Sequence, residues 1–575
     1  MKPRTGEMIF LLAALAAIAG LCFAVTPPGL YSNEEGVRYV QMRNFAENGT
    51  LEIAWPGYRL GFGAEDLAGQ GGHFESRDGR LFAITPPLFP WIASLFYPVV
   101  GERAVDVAPI LFVFFSVLLL GATLDRVMPR GVLYYLLLAV FLAGSPALLL
   151  AYKFSGQSLA LFLIAAGLFF LTRHFGAETR SRFHLAGSVF LAGAAVAASP
   201  DFLFAAGPFL LAAGAVCSVQ KRWNDLAAIA VGAALALAVL ALHDSILHGG
   251  FPGPYLLQML PYYKFSGIRI AVFAGCLIVA GALYAASRKE DLAPFLRALL
   301  AVLPVVLLLV TVSLTAARIT VSHLMAVFPA VLFVFYGLPG RIDRLMKREG
   351  ALEAILAGTV ILCLIFGAVI QRPDLKRALA VWLPLVPFVV LLLGVEHRRI
   401  FDDSKGMYVV LLLFSGVALL NNLQEVRSNL WIYKDYNARR IEFLRQHTAA
   451  GAAVLFYDAA SMEHAGPLFF ERIFLVAARP GDQERFNRQL AGRGIGRAWA
   501  WTLDPFRDVR RFDPYAHESM RQFPMLSRRG SCCGGTCRER YCYLIRLDTG
   551  ADRSSGNSRG GCERERNEDH SGRRQ

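Results

Sequence analysis

Glu34 and Glu35 stand side by side in a polar stretch just after the first long apolar segment, with many further apolar segments behind them. Charge so close to a bilayer is costly unless water, a partner or a task retains it, which marks the pair as a functional candidate. Partial desolvation raises a carboxylate's pKa toward that of a working general base, able to take a proton from a hydroxyl. The two acids have different local prospects. Ser32 with Glu35 three residues later fits a capping box, a structural job, whereas Glu34 would sit unassigned at the mouth of a helix running to Glu47. Further along, Asp78-Gly79-Arg80-Leu81-Phe82 is a turn leading into an extended Thr85-Pro86-Pro87 step and an aromatic segment, Leu88-Phe89-Pro90-Trp91. Prolines fix that backbone, and Phe89, Trp91, Phe96 and Tyr97 suit a membrane interface.

The elements that must position these residues are mostly apolar. Of 575 residues, 55% are hydrophobic and 18% charged, and the mean hydropathy is +0.45. That is too apolar for one soluble core and predicts a polytopic α-helical membrane protein. About thirteen windows of spanning length can be drawn, near 8–26, 105–124, 132–151, 158–172, 184–199, 203–219, 224–242, 269–286, 294–316, 321–338, 352–370, 378–395 and 406–420. The first reads as an uncleaved anchor, because Ala24-Val25-Thr26-Pro27-Pro28 is a poor cleavage site.

Lys and Arg gather in alternate loops, including Arg126 and Arg130, Lys221 and Arg222, and Arg398 and Arg399. This bias predicts a cytoplasmic N-terminus in a cell membrane, with the first large loop (27–104) and everything after about residue 425 on the outer face. It also accounts for the net charge of +14 without any nucleic-acid partner. Residues 1–425 then form the transmembrane domain, and 426–547 a small extracytoplasmic α/β domain. In the latter, 437–446 and 482–490 read as helical, and 453–457, 473–476 and 498–501 as extended. The tail, 548–575, has almost no large apolar residues and is expected to be disordered.

The outer carboxylate pair followed by Tyr39, the Asn48-Gly49 turn, and the Gly79-Arg80-Leu81-Phe82 stretch leading into Pro86-Pro87-Leu88-Phe89-Pro90-Trp91 resemble membrane glycosyltransferases of the GT-C class. Within it the likeness is to the branch of protein O-mannosyltransferases and the bacterial lipid A aminoarabinose transferase. Ser145-Pro146 with Tyr152, and Ser322-His323-Leu324 before Phe328-Pro329, agree with it; the resemblance covers about the first 340 residues. It implies transfer of a sugar from a polyprenyl-phosphate donor to the hydroxyl of a glycan, lipid or protein acceptor, among membrane lipids and with no cofactor. Glu34 falls at the family's first acidic position, normally Asp, so Glu34 and Glu35 are the catalytic candidates.

Where relatives carry a Lys before the Pro-Pro step this chain has Thr85, and Ser199-Pro200 replaces a Lys-Pro. Binding of the lipid phosphate and sugar is therefore expected from Arg59, Arg80, Lys153, Lys264, Arg269 or His323, around Thr85, Pro86 and Pro87.

No metal-ligand constellation is evident, and no Gly-rich phosphate loop precedes a helix, which argues against a soluble nucleotide sugar as donor. Cys532, Cys533, Cys537 and Cys542 are disulfide candidates in the C-terminal domain, with three possible pairings. Two rival classes are a lipid-linked glycan flippase or transporter and a non-catalytic membrane scaffold. A transporter is expected to carry ionisable residues deep within interrupted spans, whereas here the polar chemistry crowds at span ends.

Overall fold

The computed structural model describes residues 29–68, 72–176, 181–248, 328–334, 349–371, 383–402, 406–477, 481–502, 521–524 and 541–548, together with positions 12, 13, 15, 16, 19, 20, 264, 265, 275, 279, 344 and 479. Its apolar part is helical, as the long hydrophobic windows require. The helices are α3 (Ala104–Leu124), α4 (Val132–Leu142), α5 (Gly156–Gly176), α6 (Arg182–Ala198), α7 (Leu203–Val219), α8 (Trp223–His248), α9 (Ala351–Val369), α10 (Leu385–Val395) and α11 (Gly406–Glu425). Among the described residues five helical stretches are long and apolar enough to cross a membrane: Tyr97–Leu124, Gly156–Gly176, Pro200–Val219, Trp223–Ser245 and Gly406–Glu425. The window at 294–316 and most of those at 8–26, 269–286 and 321–338 lie outside the described residues.

In the bundle α5 packs between α3 and α6, α8 lies against α6, and α7 pairs with α9, which also contacts α10. The two flank helices expose their apolar faces: Val231, Leu235, Val239 and Leu242 on α8, and Val409, Leu412, Leu413, Val417 and Leu420 on α11. Such faces would aggregate in water and instead match a lipid environment.

The window at 132–151 is not one continuous helix. Proline lacks an N–H and its ring clashes with the preceding turn, so α4 ends at Leu142 and a short turn, Ala147–Leu150, follows Pro146. Ser145 Oγ donates to the Phe141 carbonyl. Asn422 Nδ2 on α11 donates to the Ser145 carbonyl at 2.9 Å, so a neighbouring helix satisfies the interrupted backbone. The break delivers Tyr152 and Lys153 to the end of the bundle where the polar parts sit.

Those polar parts begin with α1 (Asn33–Asn48), the hairpin β1 (Phe74–Arg77) and β2 (Arg80–Ala83), and α2 (Leu88–Ser94). Asp78 and Gly79 both take positive φ, 51° and 74°, the two-residue turn that matches strand twist. On α2 the interface aromatics divide: Trp91 is 51% exposed, whereas Phe89 points inward, its ring 4.9 Å from that of Phe154.

After the bundle come α12 (Ile432–His447), β3 (Ala453–Phe456), α13 (Ala459–His464), β4 (Ile473–Val476), α14 (Asp482–Gly492), β5 (Arg497–Thr502), β6 (Arg521–Pro524) and β7 (Tyr541–Asp548). The strands form one five-stranded sheet ordered β4-β3-β5-β7-β6. Its first three strands are parallel and the last two antiparallel. Every residue of β3 and β4 is buried, the pattern of parallel strands covered on both faces.

This sheet does not complete its core alone. Val37 and Val40 of α1, Trp55, Phe62, Phe74 and Leu81 pack in the same apolar cluster as Phe456, Phe469, Phe474 and Trp501. Phe74 stacks on Phe469 with centroids 5.6 Å apart, and Phe62 meets Phe486 edge-on at 5.9 Å. The loop before the bundle and the domain after it are therefore one folded cap on one end of the apolar body.

Candidate functional site

The site is built on the first turn of α1. Ser32 is extended, and its side chain accepts from the Glu35 N–H at 3.3 Å, capping the helix as its spacing predicts. The reciprocal half of the capping box is displaced: the Glu35 carboxylate accepts from the Tyr31 N–H at 2.8 Å instead. Consecutive helical residues point about 100° apart, so adjacent acids enter different surroundings. Glu34 is 27% exposed and pairs with Arg38 one turn on, at 3.1 Å. Glu35 is buried. Burial raises its pKa, and the charges of Lys434, Lys153 and Arg38 together with the Tyr31 N–H oppose that rise without cancelling it.

The cap supplies the rest of the surroundings of Glu34. His73 immediately precedes β1, and its carbonyl accepts from the Ile84 N–H at 2.7 Å, continuing the hairpin ladder. Its Nε2 lies 3.9 Å from Glu34 Oε1, while its Nδ1 lies 2.9 Å from Glu463 Oε2. Glu463 comes from α13, whose N-cap Asp458 accepts from the Ser461 N–H. Its side chain is fully buried. A buried carboxylate needs several donors, and here Asn33 Nδ2 donates at 2.9 Å and the His73 N–H donates as well. Burial alone would lower the proton affinity of His73, but the hydrogen bond and charge of Glu463, with the charge of Glu34, outweigh it and raise the pKa.

Two ammonium groups lie near the start of α1, one from the bundle and one from the helix that follows it. Lys153 lies over the Tyr31 ring, 4.8 Å from its centroid. Lys434 on α12 pairs with Asp106 at the start of α3, Nζ to Oδ1 3.2 Å, both side chains buried. Asn437 Nδ2 donates to the Leu30 carbonyl at 2.8 Å, holding the chain entering α1 against α12. Carboxylates, an imidazole and cations thus converge where the cap meets the apolar bundle. Chemically, the arrangement offers a partly exposed acid for proton abstraction and nearby positive charge for an anionic leaving group.

The remaining sequence candidates are dispersed. Arg59 is exposed on the turn Pro56–Leu60. Arg80 is exposed on the hairpin and pairs with Glu52 at 3.4 Å. Thr85 is buried, its hydroxyl donating to Gln41 Oε1 at 2.8 Å while Gln41 Nε2 donates back to its carbonyl at 3.0 Å, and Pro86 and Pro87 are buried beside it. These three residues fasten the hairpin's exit to α1. The backbone of Lys264 pairs with Gln371, and Arg269 and His323 lie outside the described residues. Cys542 lies in β7 opposite Phe523, whereas Cys532, Cys533, Cys537 and the tail lie outside the described residues. Among the described residues no three His, Cys, Asp or Glu side chains are grouped so as to hold a metal ion.

Sequence reasoning missed His73, Glu463, Lys434, Asn33 and Arg38. The only local signal was an isolated His beside Gly72 in the same loop as the acids. Glu463 carries none, since its partner is 390 positions away.

No family model matches the chain, and no curated protein matches it. Among solved structures, it is similar to the crystal structure of ArnT from Cupriavidus metallidurans in the apo state, at 13% identity and a TM-score of 0.44, over 95% of this chain and 99% of that one.

Proposed function

We propose that the chain is an integral membrane glycosyltransferase of the GT-C kind. In this reading it moves a sugar from a polyprenyl-phosphate carrier to an acceptor hydroxyl on the outer face of the membrane. The observation that carries the reading is the position of Glu34: a partly exposed carboxylate on the first turn of α1, paired with Arg38 at 3.1 Å and next in sequence to Glu35, on which the charges of Lys434 and Lys153 act, where an apolar helical body meets a polar cap. The lipid tail of the donor needs the apolar body and the reacting hydroxyl of the acceptor needs a polar surrounding, so the reaction belongs at the seam.

Glu34 takes the acceptor proton as the acceptor oxygen attacks the anomeric carbon, and the polyprenyl phosphate leaves with the bonding electron pair. Among the described residues, Lys153 is the cation we assign to the phosphate charge, since it comes from the bundle side and lies beside Tyr31 and Glu35. Glu35, buried and tied to the Tyr31 N–H, holds the helix start in place. The motifs shared with protein O-mannosyltransferases and the lipid A aminoarabinose transferase support the same chemistry.

The test is lipid analysis of a strain lacking the gene, complemented with the wild-type chain or with Glu34→Gln. Accumulated polyprenyl-phosphate sugar and an envelope glycan missing one residue, corrected by the wild type alone, are expected. Full correction by Glu34→Gln would overturn the reading.

A further inference from the structure

Glu463 and His73 have no part in the reaction as written above, yet they form a fully buried, multiply bonded polar group in the cap. A carboxylate with no solvent exposure accepts from Asn33 Nδ2 at 2.9 Å, from the His73 N–H, and faces His73 Nδ1 at 2.9 Å. For a docking contact alone, an apolar side chain of similar volume would serve as well or better, because desolvating a carboxylate consumes much of what its bonds return. The geometry has a directional consequence instead. An ionised carboxylate can only accept, and at 2.9 Å it lies closer to Nδ1 than the competing donor Asn33 Nδ2 at 3.5 Å, so the ring presents Nδ1–H to Glu463 and leaves Nε2 as the atom turned to Glu34 Oε1, 3.9 Å away.

We infer that Glu463, acting through His73, is a positioning residue for Glu34, so that the domain following the bundle orients the acid on which the preceding loop relies. This rests on the glycosyl-transfer reading of Glu34. With Nδ1 committed to Glu463, a second proton on the ring sits on Nε2, between the imidazole and Glu34. The imidazolium draws the Glu34 carboxylate toward the ring, with Arg38 at 3.1 Å from its other oxygen. Among the described residues, the charged groups acting on His73 are Glu34 and Arg38 from α1 and Glu463 from α13. Two carboxylates against one guanidinium favour the cationic ring. No redox partner or further co-reactant is needed, because only protons are redistributed.

The inference is tested by nitrogen NMR of the full-length protein in lipid bilayers, with ring-labelled histidine. The chain has 11 histidines, and the His73 signals are those lost in His73→Gln. In the wild type, the neutral ring at high pH should carry its proton on Nδ1; a ring protonated on Nε2 overturns the inference without any variant. In Glu34→Gln, a change at a partly exposed side chain that leaves the core alone, the His73 titration midpoint should fall by about one pH unit, a tenfold loss of proton affinity. An unchanged midpoint overturns the inference. Glu463→Gln should lower the midpoint further and abolish the Nδ1 preference, and its pH profile for sugar release from the polyprenyl-phosphate sugar that accumulates in the strain lacking the gene should shift in the same direction. A shift-free profile with normal folding also overturns it. The two readings fail separately: lost coupling between His73 and Glu34 leaves transfer intact, while transfer that survives Glu34→Gln removes the enzymatic role itself.

Discussion

At the scale of residues, the two adjacent glutamates differ because a helix turns about 100° between them. Glu34 meets Arg38 and His73 and keeps access to solvent. Glu35 is enclosed, and its pKa is raised mainly by that burial. The sign of the resulting pH effect follows directly. An acid whose folded pKa lies above its unfolded value binds its proton more tightly when folded, so its contribution to stability is present below the unfolded pKa and declines as pH rises toward the folded one. Glu35→Gln keeps an acceptor for the Tyr31 N–H and removes the charge. The thermal midpoint of the variant relative to wild type should therefore rise as pH increases above the ordinary carboxylate range, near 4.5. A difference that stays flat with pH would show that Glu35 is not held in this way. The sequence made the acids and the Ser32 cap legible, because both are local patterns. It did not reveal that Glu35 would reach back to Tyr31, since that choice is set by burial against α12.

At the scale of elements, α1 is fixed by how closely it approaches α13. A Cβ built on Gly36 would lie 1.8 Å from the Glu463 carbonyl oxygen, and Gly466 meets the Gly36 backbone in turn. Backbone cannot yield as a flexible side chain can, so Gly36→Ala should cost about 3 kcal/mol, the upper end for overpacking. It should also displace His73 and Glu463 from Glu34. Gly187→Ala in the middle of α6, where an added Cβ meets nothing within 4 Å, should be neutral or slightly stabilising. Thermal unfolding of both variants checks this, and equal midpoints would contradict the packing described here. The C-terminal strands at 453–456, 473–476 and 497–502 and the helix beginning at Asp482 were legible from apolar runs and their alternation with helix-like segments. The break after α4 was less so. Its window was apolar throughout, and only the Pro146 backbone together with Asn422 from a distant helix makes an interruption tolerable there.

At the scale of the whole molecule, the apolar character announced the bundle, but the shared core of loop and C-terminal domain had no sequence signature. Nothing local to Phe62 and Phe74 points to a partner, and only the fold puts them against Phe486 and Phe469. Because the two regions are one cap, they must face the same side of the membrane. Cysteines introduced at Asp78 and at Glu442, both exposed, should be labelled by an impermeant maleimide from the same side, outside the cell. Labelling from opposite sides would break the cap apart. The central claim is that Glu34 activates an alcohol at the seam, and it is tested most directly with purified protein in nanodiscs. Release of polyprenyl phosphate from the polyprenyl-phosphate sugar that accumulates in the strain lacking the gene is followed with envelope acceptors present, for wild type and Glu34→Gln. A loss of about a hundredfold or more in the variant, with an unchanged thermal midpoint, is predicted; equal rates in the two proteins would contradict the account.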